Sequence, residues 1–272
     1  MATLGLEGVV HVYRESGVRA LEGVDLAIRE GERVAIVGQN GSGKSTLVRH
    51  LNGLLRPTEG RVLLDGADIG SQTVASLARS VGLVFQDPDR QIFAGSVRSE
   101  VEYGPRNLGV RGAGLREAVA SALEAVGLAN EARTNPYDLG ASRRKLLALA
   151  SVLAMRTPVL VLDEPTTGQD ERGVARVRAA IERAAGEGRT VIAISHDMRF
   201  VAETFARVVV MREGRIVLDG TPGSVFAAEA WETLASTYLE PPLAAVIGER
   251  LGLGSTPTDE SLVSALLRAD AQ

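Results

Sequence analysis

The spacing of apolar residues along the chain predicts short strands that alternate with helices. Runs rich in Val, Ile and Leu and bounded by turn residues are typical of strands. In the first part of the chain the predicted strands are 4–12, 24–28, 33–37, 61–65 and 81–85. A Gly-rich turn follows the third strand, and a helical pattern then continues from Gly43 to about Leu54.

The middle of the chain has a mostly helical pattern. Residues 97–156 are rich in Ala, Leu, Glu and Arg, which are good helix formers or tolerated in helices. The continuous apolar run Val159–Leu162 then predicts a buried strand of a parallel sheet. The elements expected after it are helix 171–185, strand 190–194, a short helix near 198–204, and a strand pair at 207–212 and 215–219.

This alternation of strands and helices indicates an α/β fold with a parallel sheet. The early strands predict a β-rich N-terminal part, and the Ala- and Leu-rich middle predicts a helical subdomain at about 90–156. After Gly220 the regular alternation of strands and helices ends, and prolines separate short helical segments. We therefore predict a main domain at 1–220 and a small helical extension at 221–272.

Composition and charge exclude some classes of function. The chain has 272 residues, of which 45% are apolar and 24% charged, an ordinary globular balance. Its net charge of −4 disfavours a sequence-independent nucleic-acid binder, and we expect no nucleic-acid partner. The absence of cysteine rules out disulfides and thiolate metal sites, which suits a cytosolic protein.

The sequence contains no apolar run near the roughly 20 residues that span a bilayer. The N-terminal segment also lacks the basic and apolar regions of a signal peptide. If the protein serves a membrane process, we expect other chains to supply the membrane part. Among the 30 basic residues only Lys44 and Lys145 are lysine. A lysine in this arginine-rich chain is therefore stronger evidence for a specific role at its position than a lysine usually is.

The turn after strand 33–37 has the residues of a phosphate-binding loop. The segment reads GQNGSGKS, the Walker A pattern. Its glycines let backbone N–H groups point at phosphate oxygens, and the following helix directs its N-terminus at the same anion. Lys44 would reach the β and γ phosphates, and the Ser45 hydroxyl would bind Mg²⁺. The predicted ATP-binding residues here are Gly38, Gln39, Asn40, Gly41, Ser42, Gly43, Lys44, Ser45 and Thr46.

The apolar strand at 159–162 ends in two acidic residues. The segment VLVLDE is the Walker B pattern, in which Asp163 would hold Mg²⁺ directly or through water. Glu164 would stand beside the γ-phosphate and polarise the attacking water. A strand that ends in a solvated acidic turn would look similar, so this interpretation depends on the Walker A loop upstream.

With these two motifs, residues 4–220 resemble the ATPases of ABC transporters, which implies a P-loop NTPase core with an N-terminal antiparallel β subdomain. Gln86 is similar to the Q-loop glutamine, which implies contact with Mg²⁺ and sensing of a membrane partner. The segment PTTGQD at 165–170 resembles the D-loop, with Asp170 as its last carboxylate. His196 resembles the H-loop histidine that contacts the γ-phosphate, and Tyr13 resembles the aromatic residue that stacks on adenine.

A narrower resemblance is to the ATPases of energy-coupling factor (ECF) importers and related cobalt importers. It rests on the short helical extension and on the motif residues Gln86, Pro88, Asp89, Gln91, Ile92 and Phe93. The resemblance implies a second ATPase subunit, paired through the extension, an integral membrane scaffold subunit and a substrate-binding membrane subunit. It also implies a peripheral location on the cytoplasmic face of the membrane and import of vitamins or transition-metal ions.

The ABC signature of the family, Leu-Ser-Gly-Gly-Gln, is degenerate in this chain. Leu139 is kept, but the Ser and the two Gly are replaced by Gly140, Ala141 and Ser142. In the family these groups close on the γ-phosphate held by the partner subunit, and added side chains should hinder that approach. Ser142 would replace part of the lost hydroxyl, and the following Arg143 and Arg144 add positive charge near the helix N-terminus.

Three functional interpretations remain open from the sequence. The first is an importer ATPase in an asymmetric pair, and the second is a soluble ABC protein of translation or DNA repair. Translation proteins usually carry two such domains, and repair proteins insert a long coiled coil that residues 46–158 lack. The third is a structural partner that binds nucleotide without hydrolysis, which Glu164 and His196 argue against. Substrate specificity would lie in another chain, and the altered signature favours a heteromeric pair, because a homodimer would carry the defect in both sites.

Overall fold

The computed structural model describes residues 3–270, which form two β-sheets with helices around them. The first sheet is antiparallel, with strand order β2-β1-β4-β5. Its strands are β1 (Leu4–Val12), β2 (Arg19–Ile28), β4 (Glu59–Leu64) and β5 (Ala67–Asp68). The predicted N-terminal antiparallel subdomain is therefore present in the structure.

The second sheet is the parallel sheet that the alternating pattern predicts. Its order is β10-β9-β3-β8-β7-β6, and only the β9–β10 pair is antiparallel. Its strands are β3 (Arg33–Val37), β6 (Val81–Val84), β7 (Val159–Asp163), β8 (Thr190–Ile194), β9 (Arg207–Arg212) and β10 (Arg215–Gly220). The strands β3, β7 and β8 are adjacent, so the loops that follow them lie together at one edge of the sheet.

The helices connect these strands and form the helical middle and the C-terminal extension. Those of the first 220 residues are α1 (Lys44–Leu51), α2 (Val74–Leu77), α3 (Val97–Asn107), α4 (Gly112–Ala125), α5 (Ala141–Leu153), α6 (Glu171–Gly186) and α7 (Met198–Thr204). Those of the extension are α8 (Pro222–Val225), α9 (Trp231–Ala235), α10 (Leu243–Arg250) and α11 (Asp259–Ala269). No helix within residues 3–270 is long and apolar enough to cross a membrane.

The parallel sheet has a hydrophobic core on each face, as its apolar strands require. In β7, Leu160 and Leu162 pack into the core shared with the helical subdomain, whereas Val159 and Val161 pack into the core shared with the antiparallel sheet and α1. Successive side chains of a strand point to opposite faces, so a strand covered on both sides is apolar at every position.

The boundaries differ from the sequence prediction in a few places. Strand β2 begins at Arg19 rather than at 24, because it pairs with β1 along nearly its whole length. Helix α1 ends at Leu51, ahead of Gly53 with φ 74°. The short elements β5 and α2 were not predicted. The extension also packs onto the main domain, where Phe226 and Leu234 are buried in the core of the helical face.

Candidate functional site

The loop between β3 and α1 wraps tightly enough to require glycine at two positions. Gly38 has φ 149°, and a Cβ there would lie 2.2 Å from the carbonyl oxygen of Met211. Gly43 has φ 101°, and a Cβ would lie 2.5 Å from the carbonyl oxygen of Ala20. Because side chains would collide with backbone at both positions, the glycines of the motif allow the closed loop that the spacing predicts.

The lysine of this loop lies folded over its own backbone. Lys44 Nζ donates hydrogen bonds to the carbonyl oxygens of Gly38 at 2.7 Å and Gln39 at 2.8 Å. Burial lowers the pKa of Lys44, whereas the carboxylates of Glu164 and Asp163 act in the opposite direction. The ammonium group thus stands at the N-terminus of α1, where an anion is stabilised by both the charge and the free backbone N–H groups.

Three oxygen donors that suit Mg²⁺ border the same cavity. Ser45 Oγ lies 3.5 Å from Asp163 Oδ1, and Gln86 lines the cavity with them. Burial raises the pKa of Asp163, and the hydrogen bond from Ser45 opposes this shift. Hydroxyl, carboxylate and amide oxygens are hard ligands of the kind that Mg²⁺ prefers. Within residues 3–270 no three acidic or histidine side chains cluster as a metal site.

The two predicted catalytic residues are in contact, although β8 separates them in sequence. His196 Nδ1 lies 2.7 Å from Glu164 Oε2, and Thr167 Oγ1 lies 3.3 Å from the same oxygen. A carboxylate only accepts hydrogen bonds, so Nδ1 carries the proton in this contact. Glu164 adopts a left-handed φ of 51°, a conformation that costs a non-glycine residue about 1–3 kcal/mol and is typical of functional sites. Its N–H donates to Ile194 at 3.0 Å.

Tyr13 lies directly after β1 and borders the cavity from the antiparallel sheet. Its hydroxyl is 3.0 Å from Thr46 Oγ1, and the His11 ring packs edge-on against it with 4.7 Å between centroids. His11 is in turn 3.2 Å from buried His50, whose other ring nitrogen contacts the Thr46 carbonyl at 2.7 Å. The two histidines were not predicted, because isolated histidines on a strand and a helix have no motif spacing.

Most predicted nucleotide-site residues meet at one cavity of about 270 Å³. Its lining residues are Tyr13, Val18, Ala20, Asn40, Gly41, Gly43, Lys44, Ser45, Thr46, Gln86, Asp163, Glu164 and Ile194. Gly38 and Gln39 are joined to this wall through Lys44, and the Oγ of buried Ser42 lies 3.5 Å from Lys44 Nζ. Val18 and Ala20 were missed, because residues that supply only apolar surface carry no sequence signature.

The degenerate signature lies at the N-terminus of α5, and its groups contact residues of the same chain. Gly140 is the N-cap residue, and Ala141 begins the helix without a side-chain cap. Ser142 Oγ donates to Gln169 Oε1 at 2.7 Å, and Gln169 Nε2 donates to the Ser142 carbonyl at 3.0 Å. Asp170 caps α6 by accepting from the Gly173 N–H at 2.7 Å. The expected role of the Ser142 hydroxyl toward a phosphate would require it to leave Gln169.

The two arginines after the signature are also engaged within the chain. Arg143 forms an ion pair with Glu131, and Arg144 Nε lies 3.1 Å from Asp89 Oδ1. Arg144 also donates to the Leu139 carbonyl at 2.7 Å. The positive charge that the sequence places near this helix terminus is therefore partly neutralised by acidic neighbours.

Comparison with known proteins agrees with this geometry. Residues 21–167 match the family model described as ABC transporter. The chain is 45% identical to the energy-coupling factor transporter ATP-binding protein EcfA1 of Symbiobacterium thermophilum, over 95% of this chain and 92% of that protein. A putative ABC transporter ATP-binding protein of Methanosarcina acetivorans is 45% identical over 86% of this chain, which spans only 38% of that relative's length.

A solved structure with the same fold is cbiO1 from Clostridium perfringens, described as part of the ABC transporter complex cbiONQ. It superposes with a TM-score of 0.76 at 36% identity, covering 92% of this chain and 98% of cbiO1. The matched family region includes the phosphate loop, Gln86, Asp163 and Glu164. The chain therefore belongs to the ABC transporter ATP-binding family and is an ABC-type ATPase.

Proposed function

We propose that this chain is the ATP-hydrolysing subunit of an ECF-type membrane importer. The observation that carries the proposal is the meeting of Lys44, Asp163 and Glu164 at one cavity, with His196 against Glu164. These residues combine anion binding, cation binding and a base for water in one place. The similarity to an ECF transporter ATP-binding protein over nearly the whole chain favours this use of the site.

In this proposal each residue has a separate task in hydrolysis. Tyr13 stacks on adenine, while the loop N–H groups and Lys44 bind the phosphates. Ser45, Asp163 and Gln86 would hold Mg²⁺, which would neutralise charge on phosphate oxygens. Glu164 orients the attacking water and accepts its proton, and His196 holds that carboxylate and faces the γ-phosphate. The remaining predicted groups, Gly140 to Ser142 and Asp170, serve the site held by the partner subunit.

The proposed assembly contains a second ABC ATPase, a membrane scaffold subunit and a membrane subunit that captures the substrate. The chain would sit on the cytoplasmic face of the membrane as a peripheral subunit and bind no nucleic acid. The imported substrate, a vitamin or a transition-metal ion, would be recognised by another chain. The relative cbiO1 is itself described as part of a transporter complex, which supports a multisubunit assembly.

The extension is the surface that we propose pairs the two ATPases. Leu243 on α10 and Leu267 on α11 are 72% and 67% exposed, and Val263 lies one helical turn before Leu267 with 55% exposed. Apolar side chains at such spacing form a stripe along a helix. A second subunit would remove this stripe from water.

Purification from a membrane tests the assembly. A tagged copy of the chain, expressed with its genomic neighbours and extracted in mild detergent, should bring down integral membrane proteins at fixed stoichiometry. In the same experiment, a copy with Val263→Glu and Leu267→Glu should no longer bring down the second ATPase. Recovery of ribosomes or DNA-repair proteins with no integral membrane protein would favour the alternative of a soluble ABC protein instead.

The docking of the membrane subunit is expected at the groove beside the Q-loop. This groove has a volume of about 490 Å³ and is lined by Phe85, Gln86, Asp87 and Arg90 among others. Asp87 is 55% exposed and lies 3.6 Å from Arg90, and Asp89 is 54% exposed and lies 3.1 Å from Arg144. Exposed carboxylates beside an open groove suit basic side chains of a partner helix.

Asp89→Arg is expected to lower transport at least about tenfold while ATP affinity stays within about twofold, because like charges across an interface cost several kcal/mol. Transport into vesicles and ATP titration of the same preparation measure both quantities. Because the change also breaks the contact with Arg144, Asp87→Arg is the companion variant: it reverses charge on the groove and breaks different contacts, the one with Arg90 at 3.6 Å and the hydrogen bond from the Asp89 N–H at 3.1 Å. Normal assembly and transport in both variants would contradict the docking proposal.

The degenerate signature leads to a second expectation, that the two ATP sites of the pair are unequal. We propose a heteromeric pair in which the site built on Lys44 is closed by an intact partner signature. The opposite site, closed by Gly140–Ser142, would turn over slowly.

Restoring Ser-Gly-Gly at 140–142 should raise turnover of the slow site by at least about tenfold, since single backbone or side-chain donors to a developing charge are worth at least that much. Single-turnover hydrolysis in the assembled pair resolves the two sites. Ser142→Ala is the control, because it removes the contact with Gln169 but restores neither glycine. Unchanged turnover in the triple variant, with tight ATP closure at both sites, would mean that the altered signature is silent.

A further inference from the structure

Lys145 is the second of the chain's two lysines, and the ATP site described above does not use it. It lies in the first turns of α5, where its Nζ donates to the carbonyl oxygen of Thr167 at 2.8 Å and approaches that of Glu164 at 3.3 Å. No acidic side chain within residues 3–270 forms an ion pair with it. Its ammonium group therefore contacts only backbone carbonyls among the described residues, at the two ends of the turn formed by residues 164–167.

Those two carbonyls lie at the beginning and the end of the turn at residues 164–167. The left-handed conformation of Glu164 reverses the chain directly after β7, and the Thr167 N–H returns to the Glu164 carbonyl at 3.4 Å. A backbone conformation of this kind persists only when its surroundings hold it in place. The ammonium group of Lys145 bridges the beginning and the end of this turn.

The same end of α5 contacts the segment a second time, through Ser142 and Gln169. Their two hydrogen bonds, at 2.7 and 3.0 Å, join the start of α5 to the residue just before Asp170. Burial lowers the pKa of Lys145, and the carboxylates of Glu164 and Asp163 oppose that shift, as expected for an ammonium beside the acidic end of β7. The first turns of α5 therefore hold residues 164–169 at both ends.

We propose that Lys145 is a positioning residue for Glu164, whose carboxylate it aims by fixing the turn at residues 164–167. Ser142 belongs to the signature, and Glu164 belongs to the chain's own ATP site. The hydrogen bonds that Ser142 and Lys145 make with residues 164–169 therefore connect the signature of the subunit with its ATP site. The inference rests on the proposed role of Glu164 in hydrolysis. Lys145 itself touches neither phosphate nor water in this role.

The test compares steady-state hydrolysis of Mg²⁺-ATP by the full chain, in its assembled complex, for several variants. Lys145→Met should lower kcat at least about tenfold with the dissociation constant of ATP unchanged, because small displacements of a catalytic group have large effects on rate. Lys145→Arg keeps cationic donors for the carbonyls and should remain within about threefold of wild type. Arg116→Met, on the exposed side of α4, is the control for loss of one positive charge.

A double variant separates positioning of Glu164 from a general effect on stability. In the Glu164→Gln background, Lys145→Met should cause no further loss of rate, since both changes disable the same group. A loss that multiplies with that of Glu164→Gln would overturn the inference. The side chain in Lys145→Gln is shorter and uncharged, so this variant should also lose turnover. It provides a second test if Lys145→Met does not fold.

The outcomes distinguish this inference from the proposed function. Wild-type kcat in Lys145→Met, together with the expected collapse in Glu164→Gln, overturns only the role of Lys145. Wild-type kcat in Glu164→Gln overturns the role of Glu164 and this inference with it. Equal losses in Lys145→Met and Lys145→Arg would also contradict it, because the arginine retains the donors that the proposal requires.

Discussion

Glu164→Gln is expected to lower Mg²⁺-dependent ATP hydrolysis about 10²-fold or more, because a positioned general base contributes at least that factor. ATP binding should survive, since the carboxamide has the same shape and leaves the phosphate loop untouched. Its carbonyl oxygen can still accept the hydrogen bond from His196 Nδ1, which spans 2.7 Å in the wild-type chain. The change therefore removes the basic carboxylate and preserves the geometry around it.

The measurement is steady-state phosphate release by the assembled transporter, paired with titration of ATP against the same sample. Glu124→Gln is the matched control, because it makes the same chemical change at an exposed position of α4 without a partner in an ion pair among the described residues. Turnover at the wild-type rate in Glu164→Gln would refute the assigned role. It would also favour the interpretation that another group orients the water.

Lys44→Ala is expected to act one step earlier, on ATP binding. The ammonium group now bridges the carbonyls of Gly38 and Gln39, so it already lies over the loop that receives the phosphates. A hydrogen bond to a charged group is worth about 1.5–3 kcal/mol, and each 1.4 kcal/mol is about tenfold in affinity. We therefore expect ATP to bind about 10- to 100-fold more weakly.

Calorimetric titration of Mg²⁺-ATP measures this loss directly. Lys44→Arg keeps the charge and should also bind poorly, because a planar guanidinium does not fit where the compact ammonium is enclosed by the loop. Arg116→Met again controls for the loss of one positive charge away from the site. A dissociation constant within about threefold of wild type in Lys44→Ala would contradict the assignment of the phosphate cradle.

Sequence reasoning was most successful where function depends on local spacing. The loop from Gly38 to Ser45 carries its chemistry in consecutive residues, and the structure places the loop at the edge of the parallel sheet as expected. The strand at 159–163 was predictable for a related reason. A strand buried on both faces has to be apolar at every position, and the acidic residues mark its end.

Short elements were missed because neighbours rather than local preference stabilise them. Strand β5 has only Ala67 and Asp68, and it exists through its pairing with the end of β4. Helix α2 is a single turn, capped by the Thr73 side chain and anchored by buried Leu77. Helices of one turn are unstable alone, so tertiary contacts decide whether they form.

The altered signature shows where a sequence resemblance stops being sufficient. The sequence shows that Gly140–Ser142 departs from the family pattern, but it does not show which groups the Ser142 hydroxyl meets. In the structure that hydroxyl donates a hydrogen bond to Gln169, and the two arginines after it form ion pairs with Glu131 and Asp89. The idea that Ser142 replaces the lost hydroxyl therefore needs a rearrangement that the sequence could not reveal.

The sequence by itself determined the α/β fold, the phosphate loop, the acidic end of β7 and the family to which the chain belongs. The family resemblance placed Glu164 and His196 at one phosphate, but the tertiary structure alone decided which atoms are in contact. These are His196 Nδ1 with Glu164 Oε2, the Tyr13 hydroxyl with Thr46, and Lys145 Nζ with the carbonyls at residues 164 and 167. The physical reason is that motif spacing is a property of adjacent residues, which share one turn or strand. Contacts between α5, β7 and β8 depend instead on how buried strands and helices pack, and no spacing along the chain encodes them.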